Sequence, residues 1–272
     1  MQIGIFAKTF PGTDPLEVLS AVRDSGYATS QFNLACCGLP SMPEAVPGSV
    51  IDAVRLAAEK AGISLAALSG TYNMAHPDIS VREAGLRQLS VVIETAAALS
   101  IPLVTLCTGT RHASDQWAYH PDNGDPLAWA DMAREMAKAL ALAEEHGVDL
   151  GIEPEQANIV TSATDARRLI AEMGSARLRI VLDPANLFET ATQREALSIV
   201  QRAVETAAGH IAMAHAKDRY ADGRFATTGQ GVVDFPDFIA RLKSVGFDGP
   251  LITHGLSAEE APGVARFLKE LV

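Results

Sequence analysis

Eight short β-like runs, nearly continuous in apolar residues except at 29–32 (TSQF), punctuate the sequence at regular intervals, at 3–6, 29–32, 64–68, 103–106, 148–152, 178–182, 211–214 and 251–253. A strand exposed to water on one face alternates apolar and polar residues, whereas a parallel strand covered on both faces reads as an unbroken apolar run. The intervening segments change period. Leu86, Leu89, Ile93 and Ala96 share one helical face, with Arg82, Glu83, Arg87 and Glu94 largely off it. Trp129, Met132, Met136 and Leu140 repeat the pattern, as do Val264, Phe267, Leu268 and Leu271. Gly26, Gly62, Gly147, Gly174 and Gly246 each follow a helical segment shortly before a strand, where a left-handed residue closes a helix.

Eight strand-helix units in 272 residues match the size of a closed barrel, and no Ser/Gly linker or shift of composition divides the chain. The predicted fold class is α/β, a single (β/α)8 TIM barrel over residues 1–272. An open doubly wound sheet is the competing architecture, and it usually carries a Gly-rich phosphate loop after its first strand. Here the first strand runs into Ala7, Lys8, Thr9, Phe10, Pro11 and Gly12, with no GxGxxG.

Charge and cysteine usage narrow the function classes. Lys and Arg total 22 against 33 for Asp and Glu, a formal net charge of −11. That balance disfavours nucleic acid and anionic membranes as partners, because phosphate neutralisation needs the opposite sign. No run of about 18 apolar residues marks a membrane span, and the N-terminus lacks the pattern of a signal peptide, so a cytoplasmic protein is expected. Cys36, Cys37 and Cys107 form no CxxC pair and are expected to be packing residues in a reducing compartment.

In a barrel, residues just beyond the C-terminal ends of the strands line the site. Those positions hold Glu153 and Glu155 after the fifth strand, Asp183 and Asn186 after the sixth, His215 and Lys217 at the seventh, and His254 after the eighth. His76 follows the third strand, and Arg111 and His112 follow the fourth, in a polar connection from Gly109 to about Asp125 whose length is a mark of function. Glu153, Asp183, His215 and His254 are spaced by 30, 32 and 39 positions, each roughly one strand-helix unit. Adjacent strands can therefore bring two carboxylates and two imidazoles to one point, a mixed O/N set suited to one divalent ion such as Mn²⁺, Zn²⁺, Co²⁺ or Mg²⁺. Each residue also has a structural reading: an ion pair for Glu153 or Glu155, a turn cap for Asp183, a core imidazole for His215, a strand-to-loop turn for His254.

The segments 151–155 (GIEPE), 182–186 (LDPAN), 214–218 (AHAKD) and 229–235 (GQGVVDF) together resemble the sugar isomerase/epimerase superfamily with the xylose isomerase-like barrel. Its relatives include ketose 3-epimerases, hydroxypyruvate isomerases, inosose dehydratases and the endonuclease IV group. The resemblance implies a divalent metal on Glu153, Asp183 and His215, with a fourth ligand from the eighth strand. In the epimerases that fourth residue is usually a glutamate and pairs with the fifth-strand glutamate as acid and base; here His254 stands at that position, as ligand or as second base. Asn186 occupies a place where many relatives have a histidine.

The function these readings imply is a sugar, sugar phosphate or hydroxy-keto acid isomerase or epimerase, working by proton abstraction beside a carbonyl through a metal-stabilised enediolate. Glu153, Glu155 and His254 are the candidate acid/base residues. His76, Arg111, His112, Asn186 and Lys217 are candidate substrate contacts, Lys217 and Arg111 being equally readable as solvated charges at the mouth. The 229–231 segment is expected to fold over the mouth. A dehydratase or lyase on the same scaffold, a DNA-repair endonuclease using His76 and His112, and a non-catalytic sugar-binding protein are the alternatives, and a homo-oligomer is compatible with all of them.

Overall fold

The computed structural model describes residues 1–272 and contains a closed parallel barrel. Its strands are β1 (Gln2–Phe6), β2 (Thr29–Phe32), β3 (Ser64–Ser69), β4 (Leu103–Leu106), β5 (Asp149–Ile152), β6 (Leu178–Leu182), β7 (Ile211–Ala216) and, after a two-stranded hairpin formed by β8 (Asp218–Arg219) and β9 (Phe225–Ala226), β10 (Pro250–Thr253). Pairing of β1 with both β2 and β10 closes the ring. Eight helices cover it: α1 (Pro15–Asp24), α2 (Gly48–Ala61), α3 (Ile79–Ala98), α4 (Pro126–His146), α5 (Ala163–Met173), α6 (Gln193–Ala207), α7 (Phe235–Ser244) and α8 (Ala261–Lys269). The glycines expected to end helices all have positive φ, from 64° at Gly174 to 94° at Gly26.

The main core lies between the strands and the helices, and a smaller one fills the barrel itself: Ala67, Leu103, Val181, Met213 and Ile252. This inner group sets the position of the site. Side chains of a strand alternate between its two faces, so the residues two steps further along point into the same interior. From the inner group those are Ser69, Thr105, Asp183, His215 and His254; Gly151 leads in the same way to Glu153, and Thr29 to Gln31. The apolar floor and the polar layer above it are one pattern read at two heights.

Glycine is required where the floor is tight. A Cβ on Gly4 would lie 2.3 Å from Ile252 Cδ1 and 2.7 Å from the Thr29 carbonyl oxygen, and one on Gly151 would lie 2.7 Å from Val181 Cγ2.

One helical expectation is corrected. Arg82, placed off the buried face of α3, is 5% exposed. Its guanidinium lies 3.6 Å from Asp131 and 4.0 Å from Glu135, both on α4, and donates to the His76 carbonyl. The apolar period of α3 cannot reveal this, because the carboxylates that make burial tolerable sit on another helix. Leu89, Ile93 and Ala96 are buried as expected, with Leu86 packed at their margin. The three cysteines are free; Cys36 and Cys107 are buried and Cys37 is partly so.

Gly4→Ala is expected to lower stability by about 1–3 kcal/mol through overpacking against backbone that cannot retreat. Gly48→Ala, where a Cβ meets nothing within 4 Å, is expected to be neutral or slightly stabilising. Urea-denaturation midpoints of the two variants check the contrast.

Candidate metal centre and its cavity

A cavity of about 540 Å³ opens at the C-terminal end of the barrel, with Gln31, Thr105, Glu153, Glu155, His215 and His254 in its wall. A larger opening of about 630 Å³ lies at the opposite end, but there Asp149 is paired with Arg177 and Arg179 is bonded to the His210 carbonyl. Barrel chemistry belongs to the C-terminal face, and the titratable cluster is there.

Glu153, Asp183, His215 and His254 each present a ligand atom, and all four atoms lie within 4.8 Å of one another. Asp183 is fully buried and His215 is 2% exposed. The His215 Nδ1 lies 3.4 Å from Glu153 Oε1 and 3.5 Å from Asp183 Oδ2. Neither approach is aligned as a hydrogen bond, so this buried nitrogen has no partner. The other ring nitrogen, Nε2, donates to Gln31 Oε1 at 2.9 Å. A ligating histidine has this arrangement, with one nitrogen held by an acceptor and the other aimed at a space bounded by carboxylates. The residues therefore fit a divalent cation.

The protonation balance agrees. Burial pushes the His215 imidazolium toward neutrality, but Glu153 and Asp183 overcome it and raise the pKa to about 9, so a proton takes the cation's place when no ion is bound. Burial raises the Asp183 carboxyl, yet the His215 ring beside it, the hydrogen bond from His254 and the charge of Lys217 carry it well below the usual carboxylate range. His254 Nε2 is 3.1 Å from Asp183 Oδ2, and its ring packs edge-on to His215 at 4.5 Å between centroids. Removal from bulk water and the neighbouring His215 lower its affinity for a proton, which keeps the imidazole neutral.

A chain of polar contacts leads outward. Asn186 Nδ2 donates to Glu153 Oε1 at 2.6 Å, and its Oδ1 accepts from Lys217 Nζ at 3.0 Å. Lys217 Nζ also lies 4.0 Å from the centre of the Phe225 ring. Glu155 is half-buried in the same cavity and accepts from Asn158 at 3.1 Å. Burial and then the nearby Glu153 raise its pKa to about 7.

Other expected site residues lie elsewhere. Arg111 is engaged by Asp131 at 2.6 Å and by the Ala75 carbonyl at 3.1 Å, outside the cavity wall. The same half-buried carboxylate that draws in Arg82 holds it. His76 Nε2 bonds the Ala113 carbonyl at 2.9 Å, and His112 Nδ1 accepts from the Asp115 amide at 3.1 Å. Both histidines line a separate recess between the third and fourth loops. From the long 109–125 connection, Gln116 and Trp117 reach the cavity instead. The 229–231 segment wraps the carboxylate of Asp218 rather than the mouth, and Phe225 of the β8–β9 hairpin occupies the rim.

Gln31, Lys8 and Phe225 were not singled out by sequence reasoning. For Gln31 a signal existed: Thr29, Ser30 and Gln31 form a polar run inside a strand that is buried throughout.

A model of the xylose isomerase-like TIM barrel family matches residues 19–271. No curated protein sequence matches the chain significantly. Among solved structures, 3-keto-D-glucoside 4-epimerase YcjR from E. coli superposes with a TM-score of 0.77 at 17% identity, covering 99% of each chain. An L-ribulose 3-epimerase gives 0.73 at 20% identity, over 95% of this chain and 82% of that one. The D-psicose 3-epimerase from Clostridium cellulolyticum H10, solved with D-tagatose, gives 0.76 at 14% identity, over 100% and 99%.

Asp218 is fully buried and accepts the backbone N–H groups of Arg219, Gly229, Gly231 and Val233 at 2.8–3.1 Å. Removing it strands four donors, of which the buried Val233 amide alone costs about 1–3 kcal/mol without a partner. Asp218→Ala is expected to speed limited proteolysis within 219–233 by about tenfold or more while the barrel's far-ultraviolet circular dichroism is retained.

Proposed function

The chain belongs to the xylose isomerase-like TIM barrel family, and on that premise we propose that it is a divalent-metal-dependent isomerase or epimerase of a small sugar, sugar phosphate or hydroxy-keto acid. The observation that carries the reading is the unpartnered, buried Nδ1 of His215 facing two carboxylates in the wall of an open cavity. The solved structures named as epimerases of ketoses and of a keto-glucoside support a sugar as substrate. Glu153, Asp183, His215 and His254 would hold the ion. Bound there, Mn²⁺, Zn²⁺, Co²⁺ or Mg²⁺ would polarise a substrate carbonyl and stabilise negative charge developing on its oxygen.

The chain's own residues supply the proton chemistry. Glu155 is the base this reading favours: it is outside the ligand set, reaches the cavity, and is set by burial and Glu153 to exchange a proton near neutral pH. Glu153, as a ligand, is a weaker base, and Asn186 fixes its Oε1. Lys217, held by Asn186 and the Phe225 face, places a positive charge where an anionic oxygen of the substrate can meet it. His254, engaged by Asp183 and kept neutral, acts here as the fourth ligand.

A dehydratase shares the first proton abstraction and differs in the product. The endonuclease reading loses support because His76 and His112 do not join the cluster. A cytoplasmic location and a homo-oligomeric state complete the proposal; no helix is long and apolar enough to cross a membrane.

Elemental analysis of the purified protein is expected to give about one equivalent of divalent metal. Incubation in D₂O with a panel of ketoses, aldoses and hydroxy-keto acids is expected to wash deuterium into the carbon beside the carbonyl without change of carbon skeleton. Glu155→Gln is expected to slow that exchange by about 10²–10⁴-fold while metal content is unchanged. A product lighter by one water would move the chain to the lyases, and no metal under any loading condition would overturn the site.

A further inference from the structure

Resting on the metal-site reading above, we propose that Gln31 is a positioning residue that fixes the tautomer of His215, so that Nδ1 presents a bare lone pair to the ion. Gln31 ends in the barrel interior and is 7% exposed. Its amide nitrogen donates to Ser69 Oγ and to Thr105 Oγ1, both at 3.1 Å. Both amide hydrogens are then used, and the remaining Oε1, 2.9 Å from His215 Nε2, can act only as an acceptor. An acceptor at that place requires a hydrogen on Nε2. A neutral imidazole carries one N–H, so Nδ1 is left without one, and Nδ1 is the atom that faces Glu153 and Asp183.

The arrangement joins β2, β3 and β4 to β7 across the barrel, so three strands on one side set the ring of a ligand on the other. No other side chain of the polar layer orients the ring in this way, since Glu153, Asp183 and His254 stand on the Nδ1 side or against the ring face. A carboxylate at position 31 would accept the same hydrogen, and more strongly. The neutral amide gives the orientation without adding a further negative charge beside Glu153, Glu155 and Asp183.

The test uses Zn²⁺, titrated into full-length wild type, Gln31→Glu and Gln31→Leu against a chromophoric chelator, with long-range ¹⁵N–¹H spectra of the histidine rings in the Zn²⁺-loaded proteins. Wild type is expected to bind about one equivalent and to show the His215 hydrogen on Nε2. Gln31→Glu keeps the acceptor and is expected to bind within about threefold of wild type or more tightly. Gln31→Leu removes it and is expected to bind about 10- to 100-fold more weakly. A Leu variant with wild-type affinity, a Glu variant as impaired as the Leu variant, or a His215 hydrogen found on Nδ1 would each overturn the role of Gln31 alone. Wild type that takes up no Zn²⁺ would overturn the metal-site reading and this inference together. Melting curves identify a variant that has failed to fold; if the Leu variant does, the Glu variant and the wild-type spectrum decide.

Discussion

Two carboxylates and two imidazoles held within 4.8 Å of one another, most of them buried, are the constraint around which the rest of this structure is arranged. Charges at that density and burial require a partner of opposite sign. The protein supplies part of it through Lys217; a proton on His215 supplies more when no ion is bound, and a divalent cation would displace that proton. A closed barrel suits such a cluster because its strands converge on one axis from fixed directions. Each residue of the cluster follows an inward-facing position of its own strand, so its direction is set by the same alternation that packs the floor.

The floor and the site are therefore coupled. Val181 and Asp183, Met213 and His215, and Ile252 and His254 are pairs two residues apart, the first of each in the inner core and the second in the cluster. Gly151 stands in that relation to Glu153, and its missing side chain leaves room for Val181 and Leu103. Around the cluster the polar support has two arms. Asn186 and Lys217 hold Glu153 from the outer side, and Gln31 with Ser69 and Thr105 holds His215 from the opposite strands. Glu155 belongs to neither arm, and with its Oε2 held by Asn158 its Oε1 is available to a bound molecule.

Much of this was legible in the sequence because the signals are local. A strand covered on both faces has a continuous apolar run, a helix closes at a left-handed glycine, and the residues of the cluster at successive strand ends recur at one strand-helix spacing. What was not legible depends on pairs far apart in the chain. Arg82 reads as a solvent residue until Asp131 and Glu135 of the neighbouring helix are placed beside it. Arg111 reads as a cation of the mouth until the same Asp131 claims it. His76 and His112 lie beyond the correct strands, but their loops turn away, and His76 bonds the backbone of the fourth loop at Ala113. Gln31 carried a usable hint, a polar run in a buried strand, whose meaning depends on His215 at a separation of 184 residues.

The central claim is the location and ligation of a cation, and anomalous diffraction from crystals loaded with Zn²⁺ tests it most directly. The account predicts one strong peak at the cluster, with Glu153, Asp183, His215 Nδ1 and His254 about 2.0–2.2 Å away. No peak at that position, or a peak bound to His215 through Nε2 with Gln31 displaced, would contradict it.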